Sequence, residues 1–94
     1  MSDVRAMFTL SPYPITVAGR ELYLRRPSAL DIIEALQASK QMPDRMAAWF
    51  AWRHLVDEHR APVFGSIDEA LAADGLWIAK IGRMTEELYG EGRD

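Results

Sequence analysis

The chain contains no cysteine. Disulfide scaffolds, thiolate zinc sites and cysteine nucleophiles are therefore excluded, and the absence fits a reducing cytoplasm. Long hydrophobic runs are missing too. No segment approaches the ~20 apolar residues of a membrane span. The opening residues, MSDVRAMFTLSPYP, lack the unbroken apolar core of a signal peptide. Nor is there an excess of positive charge: 11 Lys and Arg stand against 14 Asp and Glu, a net charge of -3. Domains that bind nucleic acid by neutralising phosphates are usually basic, so neither nucleic acid nor membrane is an expected partner.

Catalytic patterns are equally scarce. AGRE, around Gly19, reads as a hairpin turn and not as a phosphate cradle. Serine and histidine occur, but nothing arranges them as a nucleophile and its base. Arg20, Arg25 and Arg26 gather near Tyr23 in RELYLRR, which on an acidic chain reads as a solvated strand face. One constellation, HLVDEH, brings together His54, Asp57, Glu58 and His59. Two histidines five apart do not share a helix face, and the spacing matches no zinc-hydrolase pattern. The polar end of a helix accounts for it, since histidine suits the C-terminal turn. The expectation is a protein that is not an enzyme and carries no metal or cofactor.

What is present describes one domain. Ninety-four residues, 49% hydrophobic and 27% charged, are enough for a single core and too few for two. YPITVAGRELYLRRP predicts a hairpin turning at Gly19-Arg20, with Val17 opposite Leu22 and Ile15 opposite Leu24. Thr16 and Tyr23 go to the other face, and Pro14 and Pro27 bracket the pair. Ala6, Phe8 and Leu10 alternate, marking a candidate third strand. Pro27 ends the strand that follows the turn, and Ser28 is a good N-cap with Asp31 three residues on. Ala29, Ile32, Ile33 and Leu36 then fall on one stripe of a helix running to about residue 40.

A second helix is predicted over PDRMAAWFAWRHLVDEH. Its middle, Met46 to Trp52, has no polar residue, unlike an ordinary surface helix. Either it is a central helix packed on two sides, or one face meets another protein, Trp49 and Trp52 being assigned to different faces. Ser66 to Glu69 form a capping box opening a short helix, and Asp74 caps the last one. There Trp77, Ile81, Met84 and Leu88 recur at four, three and four. The fold expected is α+β, a hairpin followed by about four helices. It spans residues 14–90, with a leading segment 1–13 and a fraying tail 91–94. The candidate partner-binding residues are Trp49, Phe50 and Trp52, with Trp77 and Met84 as neighbours.

The order of these pieces resembles that of the tail assembly chaperones of long-tailed bacteriophages. The matching stretches are VAGRELYLRRPSALD, AAWFAWRHLVDEH, APVFGSIDEAL and IGRMTEELYG. In one place the chain departs from the family: the loop after Leu-Val-Asp usually turns on a glycine, and DEHRAP has none, so a different turn is expected. The resemblance implies a protein that binds the long helical tape measure protein and keeps it soluble in the host cytoplasm until tube subunits assemble around it. It also implies contact with the tail tube protein through a longer frameshifted form. Homo-oligomers are a further expectation. The rival readings are a tail-completion or head–tail connector protein and a small nucleic-acid-binding regulator.

Overall fold

The computed structural model describes residues 11–90. Two strands open it, β1 (Tyr13–Val17) and β2 (Arg20–Leu24), paired antiparallel with Ile15 opposite Leu22 and Val17 opposite Arg20. The turn is therefore Ala18-Gly19, one residue earlier than the sequence predicts. Both residues have positive φ, 51° and 81°, the two-residue turn whose twist matches that of the strands it joins. This corrects the expected pairing by two residues. An even shift keeps every side chain on its face, so Ile15 and Leu22 are still buried together and Thr16 still points outward. Pro14 lies inside β1 and not at its border. Among the described residues β1 is an edge strand, where a missing N–H need take nothing from the ladder.

The candidate strand at Ala6–Leu10 lies outside the described residues. A third strand comes from elsewhere: β3 (Leu55–Val56) pairs with β2, giving the order β1-β2-β3. The sequence reading carried a helix through these residues. The helix stops at His54 because Leu55 turns to extended backbone and fills the open edge of β2. Its own outer edge is covered by Pro62 and Val63, the latter donating to the Leu55 carbonyl at 3.1 Å. In the loop between, the Asp57 carboxylate accepts from the backbone N–H groups of His59 and Ala61. Arg60 takes the left-handed conformation, φ 64°, that a glycine would adopt freely.

The helices are α1 (Ala29–Gln41), a single 3-10 turn (Pro43–Arg45), α2 (Met46–His54), α3 (Ile67–Leu71) and α4 (Gly75–Gly90). As expected, Ser28 caps α1 and Asp74 Oδ1 accepts from the first N–H groups of α4. Ser66 caps α3, but the Glu69 carboxylate accepts from Gly65 N–H instead of closing the box on Ser66. α2 is packed on two sides. Ala48 and Ala51 meet Leu22, Leu24, Ile78 and Ile81, while Trp49 and Phe50 meet Ala35 and Ala38 of α1. Against α4 the approach is close: a Cβ on Gly82 would lie 2.8 Å from Ala47 Cα and Cβ. Among the described residues, no helix is long and apolar enough to cross a membrane.

Candidate functional site

The direct passage from strand to helix at RRPSALD is held by a polar latch. Arg25 makes a two-pronged contact with Asp31, Nη1 to Oδ2 at 2.6 Å and Nη2 to Oδ1 at 3.1 Å. Asp31 Oδ2 also accepts from the backbone N–H of Ser28, whose hydroxyl accepts from Asp31 N–H in return, completing a capping box. Burial alone would push the Asp31 carboxyl up. The hydrogen bonds from Arg25 and Ser28 outweigh it and hold the group at about 2. Arg25 continues to the carbonyl of Arg53, and the Arg53 side chain pairs with Glu34. The start of α1 is thereby tied to the end of α2.

His54 is buried in the same junction. Its Nδ1 lies 2.5 Å from the Arg25 carbonyl and its Nε2 lies 2.6 Å from the Tyr89 hydroxyl. A carbonyl only accepts, so Nδ1 carries the proton and Nε2 receives the Tyr89 O–H. Burial lowers the histidine pKa to about 4, and burial likewise raises that of Tyr89. Both nitrogens are committed, so this histidine has neither a free lone pair for a metal nor a free edge for substrate. His59 is on the surface, its side chain 82% exposed. Among the described residues no group of three metal-ligating side chains converges.

Because α1 docks through this latch, its inward face is Asp31, Ala35 and Ala38. The aliphatic stripe read from the sequence faces solvent, the reverse of an ordinary amphipathic helix. Leu30 is 61% exposed, Ile32 45%, Ile33 54% and Leu36 60%. Beside the stripe runs a cleft of about 380 Å³. Ile32, Ala35, Leu36 and Ser39 form one wall, Met46 and Phe50 the floor, and Glu86 and Tyr89 of α4 the other wall. Ridge and cleft together make a largely apolar surface, interrupted in the cleft by Ser39 and Glu86.

The residues singled out from the sequence do not converge on this groove. Trp49 and Phe50 are buried, their rings 5.6 Å apart edge to face. Trp52 is half-buried, and the Arg53 guanidinium stands 5.5 Å from the Trp49 ring and 5.4 Å from that of Trp52. The two tryptophans thus lie against one cation instead of on opposite faces, because residues three apart are neighbours on a helix. Trp77 and Met84 are half-buried. Trp77 lies under Lys80 in a separate cleft with Leu76, and Met84 packs against the core. Of the five, Phe50 alone lines the groove.

Sequence reasoning missed the solvent-facing role of Leu30, Ile32, Ile33 and Leu36, and it missed Tyr89. A signal was available: Asp31, Ala35 and Ala38 form a second helical stripe, small enough for close packing and headed by the acid that two arginines can reach. No protein-family model matches the chain, and no curated protein or solved structure matches it.

Proposed function

We propose that this chain is a tail assembly chaperone of the long-tailed phage type, a binding protein without catalytic activity. Its client is the tape measure protein, held soluble in the host cytoplasm, with the tail tube protein recruited through a longer form. The observation that carries the reading is the outward aliphatic face of α1 beside the groove it shares with α2 and α4. Exposed apolar surface of this extent marks an interaction site, and an amphipathic helix laid in a groove is a standard way to fill one. The order of the stretches quoted above supports the phage assignment.

The test is co-expression with the long helical protein of the same phage or prophage. The soluble fraction of that client should rise when the chain is present, and the two should co-purify. Assembled virions should contain the client but not this chain. A client equally soluble with and without the chain, or the chain retained stoichiometrically in virions, would count for a structural tail component instead.

A further inference from the structure

The outward ridge of α1 has a repeat of its own. Ala29, Ile33, Leu36 and Lys40 follow at four, three and four, so they line up along the helix. Leu30 flanks this row on one side and Ile32 on the other. Lys40 is exposed and makes no ion pair among the described residues. The adjoining groove is apolar except for Ser39 and the Glu86 carboxylate, which is likewise exposed and without an ion pair among the described residues. One surface of the chain is thus an apolar ridge ending in a cation. The surface next to it is an apolar trough edged by an anion.

We propose that the trough is filled by the α1 ridge of a second copy of this chain, in a two-fold dimer. A two-fold contact is isologous, so whatever one protomer presents it also receives. Each ridge enters the groove of its partner, and Lys40 of one protomer meets Glu86 of the partner subunit at both ends of the interface. The pairing removes both sets of exposed leucines and isoleucines from water in one step. The contact involves fewer residues than the ~20–30 a side of a standard interface, so it is weak and reversible, dissociating in roughly the micromolar range. It concerns the chain alone and holds whatever its client is. Where a client helix uses the same surface, it competes with the dimer, which keeps the apolar face covered until the client arrives.

The experiment is sedimentation equilibrium of the purified chain from about 1 μM to about 1 mM. The expected result is a monomer–dimer equilibrium reaching twice the 10.7 kDa chain mass. Leu36→Asp abolishes the dimer with an unchanged far-UV spectrum. Lys40→Glu and Glu86→Lys each weaken it about tenfold, since two like-charged pairs appear at once, and the double reversal restores it to within a few-fold of the parent. A chain that stays monomeric to about 1 mM, including one that takes up an amphipathic peptide as a monomer, overturns the proposal. So does a dimer that persists in Leu36→Asp, or one whose double reversal is no tighter than the singles.

Discussion

Arg25 and His54 hold each other from both ends. The backbone N–H of Arg25 donates to the His54 carbonyl at 2.8 Å, and the His54 ring donates back to the Arg25 carbonyl at 2.5 Å. The exchange joins the first residue after the hairpin to the last residue of α2, across 29 positions of sequence. Tyr89 closes the other side of the ring, so one neutral imidazole ties the hairpin junction, α2 and α4 together.

That arrangement makes stability pH-dependent. The folded-state pKa of His54 is about 4 and the ordinary value is 6.5, so between them the unfolded chain binds the extra proton. The stabilisation is therefore complete above about pH 6.5 and is lost as pH falls towards 4. By linkage it amounts to about 3 kcal/mol. Asp31, held at about 2 against 3.8, extends the loss in the same direction at lower pH. Urea midpoints at pH 7, 5.5 and 4.5 should fall in sequence, and His54→Gln should remove most of that slope. Equal midpoints at the three pH values would be incompatible with a neutral, buried His54.

The latch at the head of α1 predicts a graded pair of losses. Ser28→Ala removes one cap and should cost about 1 kcal/mol. Asp31→Ala leaves Arg25, Arg53 and the Ser28 N–H without their shared acceptor, which should cost about 2–3 kcal/mol. The upper end of the buried-pair range is not reached, because the Arg25 side chain is 39% exposed and water can take up part of its loss. Denaturant midpoints check the order. Two equal losses would mean that Asp31 acts only as a cap.

How much of this was legible depended on range. Caps and helix existence are local, and Ser28, Ser66 and Asp74 announced their helices correctly, whereas the hairpin turn was placed one residue too late. Which side of α1 faces inward was not local. The periodicity of Ile32, Ile33 and Leu36 identified a helix and pointed to the wrong face, because the deciding contacts join Asp31 to Arg53 and to Arg25 in other elements. β3 was invisible for a different reason. Leu55-Val56 is too short to alternate, and only the open edge of β2 makes it a strand. The groove needs α1, α2 and α4 together, so no single segment carries its pattern.

Two turn positions hold side chains where glycine or asparagine is favoured, Ala18 at φ 51° and Arg60 at φ 64°. A left-handed conformation costs such residues roughly 1–2 kcal/mol. Ala18→Asn should therefore stabilise the hairpin by about 0.5–1 kcal/mol, giving the Asn-Gly pair preferred in this turn. Arg60→Gly should gain a similar amount, the relief of strain being partly offset by the greater freedom of glycine in the unfolded chain. Thermal midpoints read both. A loss on Arg60→Gly would show that the arginine side chain contributes more to the folded state than its backbone costs.

The sharpest contrast is between Trp49 and Leu36. Trp49 is 5% exposed and packs on Phe50, Ala35 and Ala38, so Trp49→Ala opens a cavity in the core and should cost about 3–5 kcal/mol. In a domain of this size that is a large share of the total stability, and any fall in client binding would follow from unfolding. Leu36 is 60% exposed, so Leu36→Asp touches no core contact and should change stability by no more than about 0.5 kcal/mol. It nevertheless places a carboxylate on the groove wall, where an apolar anchor of a bound helix would have to desolvate it. Soluble client in co-expression should therefore fall at least tenfold with Leu36→Asp at an unchanged melting temperature, a loss of ~1.4 kcal/mol or more of binding. Leu76→Asp serves as the control, since Leu76 is 81% exposed on α4 and lines a separate cleft. If Leu36→Asp protects the client as well as the parent does while Leu76→Asp fails, the client lies along α4 and not in the α1 groove.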